Sequence, residues 1–244
     1  QFKLWYSQAG TPRLQAIGSY DTDSKRYTLT LRQSCVPTPG QNDKAPLVIP
    51  VRGGLLSSQG QALPLHMAGN EVMTQTLVLQ DTEQSWTFEN VPEAPVPSLL
   101  RGFSAPGVLD YAYTDAELLT LLAHDSDPFN RWEAGQRLAL NRALKAIHGE
   151  TVTGTPVLDE AYVLAMREVL RHPTLDAAFK DLVLTLPAET YIADQLAVVD
   201  PQRVHAVREA MREQLALALH DDWAQALQDN VTPGAYQPDH VSSG

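Results

Sequence analysis

The chain has 244 residues, of which 43% are hydrophobic, and a formal net charge of −11, which allows one large domain or two ordinary ones with a real core. Residues 1–110 carry 8 Lys and Arg against 9 Asp and Glu, and residues 111–244 carry 10 against 20, a balance that argues against nucleic acid and against an anionic membrane surface as partners. There is no apolar run of membrane-helix length and no signal peptide, and Cys35 is the single cysteine, so no internal disulfide or cysteine zinc site can form and a soluble, cytoplasmic protein is expected.

The opening stretch QFKLWYSQ alternates Phe2, Leu4 and Tyr6 with Lys3, Trp5 and Ser7, which predicts a strand already under way at Gln1. With no Met before it, that strand suggests a chain cut out of something longer. RLQAIGSY reads as the next strand, and in KRYTLTLRQS the residues Tyr27, Leu29 and Leu31 share one face while Arg26, Thr28, Thr30 and Arg32 share the other, the pattern of a half-buried strand. Cys35 follows as a half-buried residue at a strand end. PLVIPVRGGLL and EVMTQTLVLQ read similarly, with Gly53, Gly54 and Gly60 serving a bulge and a hairpin turn. QSWTFENV lies close enough behind Asp81 and Thr82 to predict a hairpin, with Trp86 and Phe88 facing inward. With LLRGFSAPGVLDYAY this makes about seven or eight strands in roughly 110 residues, the density of an immunoglobulin-like β-sandwich.

From Thr114 the apolar period lengthens to that of a helix. Thr114 and Glu117 form a capping box ahead of LLTLLAHD. Asp127-Pro128 is an N-cap followed by Pro at the first helical position, and Trp132, Gly135, Ala139, Ala143 and Ile147 form the stripe of the helix it opens, closed by Gly149. Shorter helices are predicted near 158–171, 175–185 and 188–197. Asp200-Pro201 opens the longest, with Val204, Val207, Met211, Leu215, Trp223 and Leu227 as its stripe over 201–229. Helices joined by brief loops read as an α-helical bundle or the start of an α-solenoid. The tail NVTPGAYQPDHVSSG is polar.

None of the seven histidines (His66, His124, His148, His172, His205, His220 and His240) belongs to a His-Glu-x-x-His motif, in which two imidazoles one turn apart share a zinc ion. His124, Asp125 and Asp127 come nearest to a ligand cluster, but Asp127 is accounted for as a helix cap. His220, Asp221 and Asp222 are successive helix residues and point about 100° apart. There is no nucleophile elbow around Ser57 and Ser58 and no phosphate loop. Asn230-Val231-Thr232 matches a glycosylation acceptor only formally, with Pro233 behind it, and Trp132 and Trp223 read as core residues. No catalytic or metal-ligating residue is assigned, and substrate-binding residues stay open. A non-catalytic piece of a larger enzyme, a free-standing protein- or peptide-binding adaptor and an enzyme completed by a partner chain all fit this reading.

LWYSQAGTP from Leu4, IPVRGGLLSSQGQALPLH from Ile49, ENVPEAPVPSLLRGFSAPGVL from Glu89, DPFNRWEAGQ from Asp127 and AYQPDHVSSG from Ala235 resemble, in that order, stretches of the bacterial aminopeptidase N (alanyl aminopeptidase) family of zinc metallopeptidases. The resemblance covers essentially the whole chain. It implies a β-sandwich over 1–106 and the N-terminal part of the family's C-terminal helical domain over 107–244. It also implies that the zinc-binding His-Glu-x-x-His and the Gly-Ala-Met-Glu-Asn motif lie upstream of Gln1, with zinc, the catalytic domain and short peptides belonging to the parent enzyme. The role implied for this part is to link to the catalytic domain, wall off its active site and shape substrate access. This chain alone is then expected to hold no cofactor and to have no activity. Loss of later helices would leave an exposed apolar patch.

Overall fold

The computed structural model describes residues 1–67, 69–149 and 156–231. The tail from Thr232, with the last residue of the formal glycosylation acceptor, the stretch from Ala235 and His240, lies outside the described residues. The chain divides into two compact units, 1–130 and 131–244.

The first unit opens with a helical turn, α1 (Leu4–Ser7), where the alternation predicted a strand. Phe2 and Tyr6 are 60% and 86% exposed, whereas the adjacent Leu4 and Trp5 both pack against the core. A strand would send two neighbours to opposite faces, while a helical turn lets both face inward, and the Trp5 indole N–H donates to the Val48 carbonyl at 2.8 Å.

Ten strands follow. β1 (Arg13–Asp21), β2 (Arg26–Ser34), β8 (Glu83–Phe88) and β10 (Val108–Asp110) make one sheet in the order β10-β1-β2-β8. In the other, β3 (Ile49–Leu56) pairs with β7 (Gln75–Leu79), β4 (Ala62–Leu63) and β9 (Val96–Ser98). β5 (Leu65–Met67) and β6 (Asn70–Val72) form a separate ribbon. The predicted hairpin at Asp81-Thr82 does not form: β7 pairs with β3 and β8 with β2, so the two residues cross from one sheet to the other. Spacing along the chain cannot separate a hairpin from such a crossing, and the partner is decided by long-range side-chain pairing. Opposite one another on β2 and β8 stand Thr28 with Thr87, Thr30 with Ser85 and Arg32 with Glu83, each pair hydrogen-bonded, while Leu29 with Trp86 and Tyr27 with Phe88 fill the inner face. A one-residue slip would put every one of these groups on the wrong face.

The core joins Leu14, Leu29 and Leu31 of one sheet to Ile49, Val51 and Leu79 of the other; burying each such side chain is worth about 1.5–3 kcal/mol. Gln33 is one of the buried polar residues of this unit. Its side chain donates to the Leu47 and Asp81 carbonyls at 2.8 and 2.9 Å and accepts from the Leu47 N–H at 2.8 Å, taking the place of a strand partner. Gln8 does the same for both backbone groups of Ala45. Gly60 occupies the predicted turn between β3 and β4 with φ +79°, and a Cβ there would also overlap the His124 ring.

α2 (Asp115–His124) begins at the expected capping box: the Thr114 hydroxyl accepts from the Glu117 N–H at 3.2 Å, and the Glu117 carboxylate accepts from the Thr114 N–H at 2.7 Å. α3 (Pro128–Ile147) starts at its Asp127 cap, whose Oδ1 accepts from the Asn130 N–H at 3.0 Å.

The second unit holds α3 from Arg131 onward, α4 (Glu160–Arg171), α5 (Ala177–Leu184), α6 (Glu189–Ala193), α7 (Pro201–Ala218) and α8 (His220–Asp229). Asp159, Asp176 and Asp200 cap α4, α5 and α7 through the amide three residues on. α4 packs against α5 and α8, and α7 against α6 and α8. The single helix predicted over 201–229 is broken at Leu219, which has φ −112° and ψ 18°. The stripe breaks with it: Val204, Met211, Leu215 and Leu219 are buried, whereas Leu227 is 70% exposed. Trp132 and Trp223 are half-buried rather than central. The buried face of α3 carries Ala134, Leu138, Ala139 and Ala143 together with two arginines, Arg131 and Arg142.

Candidate functional site

The densest buried polar chemistry in the first unit lies where β9 leads through a short 3₁₀ turn, Arg101–Phe103, toward the α2–α3 corner. Here Leu100, Gly102 and Phe103 have φ of +57°, +63° and +53°, a left-handed run that non-glycine residues adopt only when their surroundings hold them there. Arg101 supplies much of that hold. Its Nε donates to Ser98 Oγ at 2.7 Å, Nη1 to Thr74 Oγ1 at 3.0 Å and Nη2 to Asp125 Oδ1 at 3.2 Å, with the Asp125 side chain wholly buried. Asp127 Oδ2 accepts from the Gly102 N–H at 2.7 Å, and the Asn130 amide donates to Ser98 Oγ and the Leu99 carbonyl. The Phe103 and Phe129 rings meet at 3.9 Å between centroids.

The His124, Asp125, Asp127 group therefore divides by role. Asp127 caps a helix as expected, Asp125 neutralises a buried arginine, and the His124 ring lies by the Gly60 turn. This arrangement clamps backbone. Sequence reasoning missed the Arg101–Asp125 pair, and a basic residue among Leu99, Leu100 and Phe103, 24 positions before an acid, gives no local signal of pairing.

A second polar group sits inside the sandwich. The hydroxyls of Tyr27 and Tyr111 lie over Gly18, where a Cβ would overlap both. Burial, more than the neighbouring Tyr111, pushes the Tyr27 hydroxyl far above the ordinary tyrosine range. The folded unit therefore keeps this proton while the unfolded chain releases it near pH ~10, so the associated stability is complete below that pH and is lost as pH rises above it. Urea midpoints at pH 8 and pH 11 should fall further for the natural chain than for Tyr27→Phe. Equal falls would show that this hydroxyl carries no such dependence.

A cleft of about 340 Å³ beside α1 is lined by Gln8, Cys35, Lys44 and Thr82. Its ammonium is already committed: Lys44 Nζ donates to the Ala9 carbonyl, Thr38 Oγ1 and Gln41 Oε1.

In the second unit, Arg142 Nη2 donates to Asp159 Oδ2 at 2.6 Å, and its guanidinium lies 5.8 Å from the centroid of the Tyr162 ring. Asp222 takes Arg167 Nε at 3.2 Å and Arg171 Nε at 2.5 Å, tying α8 to α4, while His220 pairs with exposed Asp221. Asp222 thus turns away from the His220–Asp221 pair, and the three do not converge on one point. Among the described residues, no three His, Cys, Asp or Glu side chains gather as metal ligands would, and no helix is long and apolar enough to cross a membrane.

Residues 10–112 match a family model described as a domain of unknown function (DUF3458) with an Ig-like fold, and residues 115–244 match one described as a domain of unknown function (DUF3458_C) of ARM repeats. These descriptions agree with the expected sandwich and, of the two helical arrangements left open by the sequence, a bundle or the start of an α-solenoid, favour the solenoid. The chain is 37% identical over 222 residues to aminopeptidase N of Escherichia coli (strain K12), covering 91% of this chain and 25% of that protein. It is 36% identical over 240 residues to aminopeptidase N of Caulobacter vibrioides, covering 98% and 26%. Among solved structures, the crystal structure of Legionella pneumophila aminopeptidase A in complex with aspartic acid matches with a TM-score of 0.76 and 25% identity, over 97% of this chain and 26% of that one. The chain thus spans about a quarter of the length of the curated relatives it matches.

Proposed function

The chain belongs to the aminopeptidase N family, as the DUF3458 and DUF3458_C pair of that family's C-terminal region, and on that premise we propose that it is a non-catalytic part of a zinc aminopeptidase acting on short peptides. The observation that carries this reading is the continuity of the match: about nine-tenths of this chain aligns with about a quarter of the relative. The sandwich, whose edge strand β10 (Val108–Asp110) lies past the boundary at 106 expected from the sequence, serves as the link, and the helices from α2 onward as the first part of the helical domain.

The catalytic domain of the same polypeptide is the proposed partner, in the cytoplasm, and it supplies the zinc and the acid–base groups. This chain supplies a scaffold that walls off the active site. Such a wall excludes folded proteins and long chains from the reacting centre and keeps bulk water out. That is a physical use for a large mass of protein whose buried arginines, Arg101 paired with Asp125 and Arg142 with the exposed Asp159, hold backbone in place.

The purified chain, assayed with an alanine anilide and analysed for metal, is expected to give no hydrolysis above buffer and no stoichiometric zinc. Turnover, or one tightly held zinc per chain, would overturn the proposal.

A further inference from the structure

The largest of the clefts described here, about 570 Å³, opens in the second unit at the C-terminal end of α4. α4 packs against α5 on one side and α8 on the other, so Arg171 and His172 form the floor, Lys180 of α5 one wall, and Asp221, Asp222 and Asp229 of α8 the other. The volume is within the about 300–1,000 Å³ range of small-molecule sites.

Charge is separated across this cleft. Asp222 is held by Arg167 and Arg171, which leaves on the acidic wall Asp221, paired with His220, and Asp229, whose Oδ1 accepts from neutral Gln225. Across from it stands the Lys180 ammonium; on the floor, burial first and then the cations Arg131 and Lys180 hold the His172 imidazole below its ordinary proton affinity. A molecule with one anionic and one cationic end, set a few bonds apart, matches both walls at once, whereas a simple anion or cation would meet repulsion from one of them. We propose that this cleft binds the zwitterion of a short unblocked peptide, with its carboxylate toward Lys180 and its ammonium toward Asp229. This assignment goes beyond the scaffolding role and does not depend on it.

Trialanine, N-acetyl-trialanine and trialanine amide, titrated into the 244-residue chain by NMR, test the proposal. Saturable shifts at the His172 and Gln225 resonances are expected for trialanine, with about tenfold weaker binding for either blocked form, the loss of one charge-assisted contact. Lys180→Gln, at a half-buried surface position, should weaken trialanine about tenfold and leave trialanine amide unchanged. No saturable shift for trialanine, equal binding of free and blocked peptides, or indifference to Lys180→Gln would each overturn it.

Discussion

Replacing Arg101 by Met is expected to destabilise the first unit by about 3–5 kcal/mol, the range seen when one partner of a buried ion pair is removed. All three guanidinium nitrogens are engaged, and the Asp125 side chain has no exposure to water. Without Arg101, the Asp125 carboxylate stays buried with the Asp127 N–H, at 2.9 Å, still donating to it. The left-handed backbone at Leu100, Gly102 and Phe103 also loses its nearest anchor. The double change Arg101→Met with Asp125→Leu should recover much of the loss, because the cost lies in the orphaned charge rather than in the missing attraction. Urea unfolding followed by far-ultraviolet circular dichroism reads both. A loss under about 1 kcal/mol for the single change, the range of an exposed pair, would mean that the pair is not the clamp described.

Tyr162→Ala is expected to cost about 3–5 kcal/mol in the second unit. Tyr162 is 1% exposed on α4, in a buried row with Ala165, Met166 and Val169, and its ring lies near the Arg142 guanidinium. Truncation opens a cavity at the point where Arg142 and the Asp159 cap meet the start of α4. Amide hydrogen exchange along α3 and α4 should show the loss of protection. Leu164→Ala, 44% exposed on the same helix, is the control and should stay within about 0.5 kcal/mol. Equal effects of the two changes would contradict the packing described.

These two residues mark where the sequence was readable and where it was not. Capping signals revealed the helices that run over Asp115–His124 and Pro128–Ile147, and a shorter helix was expected near 158–171, where Tyr162 sits in an apolar row behind the Asp159 cap of α4. Caps work because the amide groups they satisfy lie within three residues along the chain. The half-buried strand at 26–34 was equally readable, from Tyr27, Leu29 and Leu31. What stayed hidden depends on contacts between distant residues. Leu4 and Trp5 turn inward together because the Val48 carbonyl accepts the indole proton, and five residues of alternation could not show that. β8 pairs with β2 and not with its neighbour β7 because cross-strand hydroxyls and inner-face aromatics match only in that register. The break at Leu219 places Asp222 between Arg167 and Arg171, whereas the apolar spacing from Val204 to Leu227 reads straight through it.

The candidate site was less readable than the fold. Asp127 was recognisable as a cap from its Pro neighbour. The burial of Asp125 against Arg101 was not, since both residue types usually lie at the surface. Likewise, the charge count of the second half gave its acidity but not the basic side of the α4–α8 cleft, which exists only once Arg171, His172 and Lys180 meet.

The most direct test of the central claim, that this chain is one part of a larger aminopeptidase, is to sequence the genomic reading frame across the codon for Gln1. The account predicts an open frame continuing upstream through a His-Glu-x-x-His motif. A start codon at that position, with no such motif in frame, would contradict it.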